Sequence, residues 1–206
     1  MTETGLFFGS FNPVHIGHMA IANYITEFSP LREVWFIVSP HNPLKVKESL
    51  LSERDRLYMT QLAIGDDARF RASDIEFTLP RPSYTIDTLT YLSEKYPARR
   101  FTLIMGEDNL ATLHKWKNAE MLVKQYPVVV YPRLFPGRKS SKKLQEILAM
   151  ASVRHVDAPI MEISGTFIRS AIREGKDVSW FVPAPVWKYI REMHFYEQRG
   201  AGVCDV

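Results

Sequence analysis

Gly5-Leu6-Phe7-Phe8-Gly9-Ser10-Phe11-Asn12-Pro13-Val14-His15-Ile16-Gly17-His18 decides the fold. The apolar run Gly5 to Phe8 reads as a buried strand, and Met19 to Ile25 reads as a helix. Between them lies a tight loop that places two imidazoles at the helix opening. Backbone N–H groups at a helix start are unpaired and carry partial positive charge, so this unit suits an anion. His15 and His18 are three residues apart, a spacing that turns both rings the same way on the first turn. A bound triphosphate would meet them together.

Outward from this unit, apolar runs alternate with amphipathic ones. Strands are expected at Leu6 to Phe8, Val34 to Val38, Phe70 to Ser73, Phe101 to Met105, Val128 to Tyr131 and Val153 to Val156. A further edge segment is expected around Ile75 to Phe77, before the breaks at Pro80 and Pro82. Helices are expected at His18 to Phe28, Thr85 to Lys95, Ala119 to Lys124, Leu144 to Met150, Ser164 to Glu174 and Pro183 to Met193. Another follows Ser52-Glu53-Arg54-Asp55, which looks like a capping box, and Asn109 to Leu113 suits a short one. Strands separated by helices imply parallel pairing and right-handed crossovers, hence a doubly wound α/β sheet with a C-terminal helical part. Ligands in such sheets bind beyond the carboxyl ends of the strands, where the strand order reverses. The loop at Gly9 to His18 leaves the first strand at that edge.

The 206 residues suit one domain, expected over 1–196, with a loose tail at 197–206. Hydrophobic residues make up 46% and charged residues 24%, a globular balance that excludes disorder for the body of the chain. A net charge of +3 accommodates an anionic substrate but is too small to indicate nucleic acid. The basic run Arg138 to Lys143 reads as a solvated loop. No long apolar segment suggests a membrane span, and Met1 to Thr4 lacks the basic opening of a signal peptide. The single cysteine, Cys204, reads as an inert tail thiol. It permits no internal disulfide, and a cytoplasmic location is expected.

The loop lacks both the dinucleotide fingerprint and the P-loop pattern. Its G-x-F-x-P-x-H-x-G-H pattern instead resembles that of the adenylyl- and cytidylyltransferase superfamily, with His15-Ile16-Gly17-His18 as the H-x-G-H core. A second stretch, Ile163-Ser164-Gly165-Thr166-Phe167-Ile168-Arg169, resembles that superfamily's I-S-S-T-x-x-R. It departs at Gly165, where serine is usual, so a hydroxyl is lost while the backbone N–H remains. Ser164 can cap its helix, and Arg169, one turn beyond Thr166, can reach phosphate with a planar fork. The resemblance implies a Rossmann-like nucleotidyltransferase fold. It implies catalytic roles on ATP phosphates for His15, His18, Lys45 and Arg169. ATP-binding roles follow for Gly9, Ser10, Phe11, Gly17, Ile163, Ser164 and Thr166. Gly106 would allow close approach of the nucleotide, and Asp108 would accept from ribose hydroxyls or cap a short helix.

Pro82 to Leu89, Gly106 to Asn109 with Leu113 to Lys117, and the ending Val182 to Tyr196 resemble bacterial nicotinate-mononucleotide adenylyltransferases. That resemblance runs from Gly5 to Tyr196. It implies transfer of AMP from ATP to nicotinate mononucleotide, giving deamido-NAD and pyrophosphate. Mg²⁺ would be bound through the substrate phosphates, without a metal site of the protein's own. Asn12, Thr85 and Trp116 would bind the mononucleotide. Trp116 offers a face for the flat ring, and the N–H groups opening the Thr85 helix can receive the ring carboxylate. Thr85 can also be a simple cap, and Asp87 reads as structural. The same fold could serve another acceptor, such as nicotinamide mononucleotide or phosphopantetheine. A nucleotide sensor or RNA-binding protein is the alternative of a different class. Whether Arg133 touches ATP stays open, and so does oligomeric state.

Overall fold

The computed structural model describes residues 1–40, 50–134 and 141–198. Six parallel strands form one sheet among the described residues. They are β1 (Thr2–Gly9), β2 (Glu33–Val38), β3 (Phe70–Ser73), β4 (Arg99–Gly106), β5 (Val128–Tyr131) and β6 (Val153–His155). Their spatial order is β3-β2-β1-β4-β5-β6, so the winding reverses between β1 and β4. The register pairs Leu6 with Trp35 on one side and with Leu103 on the other. This is the doubly wound sheet that the alternation of strands and helices requires.

The helices are α1 (Ile16–Phe28), α2 (Glu53–Ile64), α3 (Ile75–Thr78), α4 (Thr85–Lys95), α5 (Glu107–Leu110), α6 (Ala119–Gln125), α7 (Lys142–Leu148), α8 (Gly165–Arg173) and α9 (Ala184–Glu192). Because successive strand residues face opposite ways, the sheet feeds two cores. Phe7, Phe36, Val129 and Tyr131 pack with Ile21 and Ile25 of α1, Ile168 and Ile172 of α8, and Val186 and Ile190 of α9. Leu6, Trp35, Leu103 and Val130 pack with Leu89 and Leu92 of α4, Leu122 of α6 and Ile147 of α7.

Three local expectations are corrected. Ile75 to Phe77 is not an edge strand but the short helix α3, because β3 already forms the sheet edge and Asp74 opens a turn. Its carbonyl accepts from the Phe77 N–H at 2.8 Å. Ile75 and Glu76 are buried there, and the Glu76 carboxyl accepts from Thr88 at 2.7 Å and Ser83 at 3.3 Å. The expected helix at Asn109 to Leu113 is divided into α5, which starts directly at the end of β4, and a 3-10 turn at Leu113–Lys115. Helix α7 starts at Lys142, capped by Ser141 through the Leu144 N–H, so the last two residues of the expected basic loop, Lys142 and Lys143, are helix. Residues 138–140, Cys204, Lys45 and the tail from 199 lie outside the described residues.

Candidate active site

The loop after β1 turns back on itself at Phe11, whose φ of 43° is left-handed. Such a backbone is unfavourable for a bulky residue and persists only when packing fixes it. Here the Phe11 ring is buried at 1% exposure, edge-on to Phe7 and tilted against Phe36. Gly9 makes this possible, since a Cβ there would sit 2.8 Å from the Phe11 ring. The Phe11 side chain therefore belongs to the core and supports the site from beneath. Its ring also meets that of His18 edge-on at 5.1 Å.

His15 and His18 are stacked, with ring centroids 3.6 Å apart and planes at 25°. The His15 backbone N–H donates to His18 Nδ1 at 3.2 Å. That bond makes Nδ1 an acceptor and places the neutral ring's N–H on Nε2. His15 is buried, and its Nδ1 has no hydrogen-bond partner among the described residues. Burial, assisted by the positive charge of Arg133, pushes the His15 pKa down to about 3. Two stacked imidazolium ions would repel each other; a neutral His15 removes that conflict. Gly17 leaves room for the stack, because a Cβ there would lie 3.1 Å from His15 Nδ1 and press on that ring.

This shift has a consequence for stability. The His15 pKa is lower folded than unfolded, so its contribution is present above about pH 6.5 and is lost as pH falls towards about 3. By pH 5 the loss amounts to about 2 kcal/mol. Urea denaturation at pH 7 and pH 5, where most carboxylates stay ionised, is expected to show a smaller pH-dependent loss for His15→Gln than for the parent chain. Equal losses would contradict the neutral, buried assignment.

Around the stack, a narrow pocket is lined by Gly17, Tyr131, Arg133, Met161 and Ile163. Arg133 follows the end of β5 and pairs its Nη1 with Asp108 Oδ2 at 3.0 Å. Asp108 is the second residue of α5, behind Gly106 as the N-cap, so it is not the cap. Its Oδ1 is buried without a hydrogen-bond partner among the described residues. Gly106 gives that oxygen its place, since a Cβ there would come within 2.5 Å of it and Asp108 would have to move. Thus His15 Nδ1, at the start of α1, and Asp108 Oδ1, in α5 just past β4, are both buried without a hydrogen-bond partner among the described residues, as is His114 Nδ1 elsewhere. Unsatisfied buried polar atoms are rare and point to a missing ligand or water.

Helix α8 completes the site. Ser164 caps it by accepting from the Phe167 N–H at 3.1 Å, as the sequence led one to expect. Arg169 donates from Nη1 to the Asn12 carbonyl at 2.7 Å and from Nη2 to Thr166 Oγ1 at 3.3 Å. One edge of its fork therefore holds the loop after β1. Gly165 lies beneath this contact; a Cβ would sit 2.8 Å from the Asn12 carbonyl oxygen and 3.3 Å from Arg169 Nη1. That crowding accounts for glycine where the pattern usually has serine. Asn12 is itself buried, and its Oδ1 accepts from Tyr196 at 2.7 Å and from the Leu51 N–H at 3.3 Å.

Of the expected acceptor residues, Asn12 lies in the loop after β1, and Thr85 and Trp116 lie on the segments before and after β4. Thr85 is the first residue of α4, whose N-cap is Tyr84, so Thr85 is not the cap. Lys117 ties the following segment to this helix, pairing with Asp87 at 2.8 Å and lying over the Tyr84 ring at 4.6 Å. Trp116 does not line the histidine pocket. It lines a roomier cleft of about 550 Å³, with His114 and residues of α6 and α7.

A parallel sheet reversing between β1 and β4, with a histidine pair and arginines at that reversal, defines a nucleotidyltransferase, and the chain belongs to the cytidylyltransferase-like family, which matches residues 6–171. Its relatives narrow this to the nicotinate-nucleotide adenylyltransferases. A Flavobacterium johnsoniae protein named "Probable nicotinate-nucleotide adenylyltransferase" is 48% identical over 95% of this chain and 100% of its own length. A Bacteroides thetaiotaomicron protein of the same name is 50% identical over 92% of this chain and 91% of its own. In fold, the chain is similar to a Plasmodium falciparum nicotinic acid mononucleotide adenylyltransferase solved in complex with NaAD. That likeness has a TM-score of 0.77 at 18% identity and covers 95% of this chain and 98% of that one.

Proposed function

We propose that the chain transfers AMP from ATP to nicotinate mononucleotide, releasing pyrophosphate. The observation that carries this reading is the stacked His15–His18 pair at the start of α1, beside the buried, unpartnered Asp108 Oδ1. The mononucleotide phosphate attacks the α-phosphorus of ATP in line. That phosphate is already anionic, so no general base is needed, and a neutral His15 suits a hydrogen-bonding role. Catalysis is then positioning plus stabilisation of charge spreading over phosphate oxygens. His18 directs its Nε2–H to those oxygens, and Arg133, Arg169 and Lys45 neutralise charge around them. Asp108 Oδ1 accepts from the ATP ribose, with Gly106 giving the nucleotide room. Mg²⁺ bound by phosphate oxygens and water would add charge neutralisation; no three His, Cys, Asp or Glu side chains gather into a cage among the described residues. Among the described residues no helix is long and apolar enough to cross a membrane, and we place the reaction in the cytoplasm.

The acceptor is selected by charge. The opening N–H groups of α4 favour the carboxylate of the acid mononucleotide over the neutral amide. Trp116 supplies a stacking face. A pyrophosphate-release assay with both mononucleotides is expected to give the higher kcat/KM for the acid, and preference for the amide would overturn the carboxylate site. Trp116→Ala is expected to weaken mononucleotide binding roughly 3- to 10-fold, the worth of an aromatic stack, with less effect on ATP. Equal weakening of both substrates would remove the stacking role.

A further inference from the structure

One buried charge plays no part in the chemistry above. Arg56, on α2, is fully buried at 0% exposure, and no carboxylate pairs with it among the described residues. Four backbone carbonyls take its place. Nη1 donates to Ser10 at 2.6 Å and to Ser39 at 2.7 Å, Nη2 to Pro40 at 2.9 Å, and Nε to Leu51 at 3.1 Å. Ser10 is the first residue past β1, Ser39 and Pro40 are the first two past β2, and Leu51 directly precedes Ser52, the cap of α2. A single planar fork thus fixes three chain segments where each departs from regular structure.

The strand ends do not need this fork. Their register is set by the ladder up to Gly9 and Val38, and the Ser39 N–H extends it by donating to the Gly9 carbonyl at 2.9 Å. What Arg56 adds lies beyond the ladder, at Ser10, Pro40 and Leu51. The charge of Glu53, one turn earlier on α2, favours the guanidinium without pairing with it, but burying a charge without a directly paired counterion is costly, and a well-packed apolar residue usually serves stability as well or better. The segment held at Ser10 continues through Phe11 and Asn12 to His15. Leu51 touches that same segment from the other side, its N–H donating to Asn12 Oδ1 at 3.3 Å. Anchoring Ser10 and Leu51 to one guanidinium therefore fixes the height of the loop that ends in the histidine stack.

We infer that Arg56 is a positioning residue, setting the loop from Ser10 to Asn12, and through it the histidine pair, for the ATP phosphates. The inference rests on the reading that this loop and the stack hold ATP. Lysine retains the charge but offers one nitrogen, which cannot satisfy four carbonyls arranged around a planar fork.

The test uses the full chain with Arg56→Lys, Arg56→Met and Arg56→Ala. Thermal melts report the fold, titration with a non-hydrolysable ATP analogue reports binding, and pyrophosphate release well below each melting point reports kcat. Arg56→Lys is expected to fold, to bind the analogue more weakly and to lose about 10- to 100-fold in kcat, the penalty of misplaced groups. Methylguanidinium is expected to restore part of the lost turnover to folded Arg56→Ala and none to Arg56→Lys. A folded Arg56→Lys with parental affinity and kcat would overturn the inference. So would failure of both the lysine and methionine variants to fold, which would make Arg56 a requirement of the fold alone. If the parent chain fails to bind the analogue, the nucleotide reading falls and this inference with it; if the parent binds and Arg56→Lys binds equally well, only the inference falls.

Discussion

His18→Ala is expected to lower kcat by on the order of 100- to 1000-fold while the chain stays folded, the usual cost of removing one preorganised donor. The expectation follows from the local geometry. His18 Nδ1 accepts from the His15 backbone, which leaves Nε2 to carry the proton, and the ring is held by His15 on one face and by the edges of Phe7 and Phe11. A donor locked in this way needs no reorganisation when charge develops on phosphate. His18 is only partly buried, and the fold loses one capping interaction with it, a cost of about 1 kcal/mol. A melting curve with steady-state rates separates the two effects. A folded His18→Ala protein at near-parental kcat would remove His18 from the chemistry.

The second large effect is expected at Arg133. Its guanidinium lines the histidine pocket, pairs with Asp108 at 3.0 Å and helps hold His15 neutral. Arg133→Ala is expected to cost about 10- to 100-fold in kcat/KM for ATP, equivalent to one or two charge-assisted hydrogen bonds. Because Asp108 is its partner, the losses from Arg133→Ala and Asp108→Ala are expected to be less than additive in a double-mutant cycle. Fully additive losses, or a loss confined to the mononucleotide, would contradict a shared role on ATP.

The difference between what the chain declared and what it concealed is physical. The unit from β1 to α1 was legible because all its determinants are local: an apolar run, a glycine, a proline and two histidines at helical spacing. The cap at Ser164 and the parallel sheet were legible for the same reason, through periodicity and local chemistry. Arg133 was left open because nothing within a few residues distinguishes it; only the sheet order brings the end of β5 beside the start of α1. The Arg169 bond to the Asn12 carbonyl, the Tyr196 bond to Asn12 and the Arg56 fork were illegible. Their partners are 157, 184 and up to 46 residues away in sequence, and carbonyl acceptors leave no mark in the side-chain pattern. The left-handed backbone that turns the Phe11 ring into the core was not legible either. The helix at Ile75–Thr78 read as an edge strand because four apolar and polar residues before a proline carry too little periodicity to decide.

The most direct test is the ¹⁵N shifts of the two imidazoles during titration with a non-hydrolysable ATP analogue. Before addition, His18 is predicted to show the Nε2–H tautomer and His15 a neutral ring at pH 6. On binding, the His15 and His18 signals are predicted to shift together, at the same analogue concentration. Saturation of the protein with both rings unmoved would place the triphosphate elsewhere and contradict the assignment of the histidine stack to ATP.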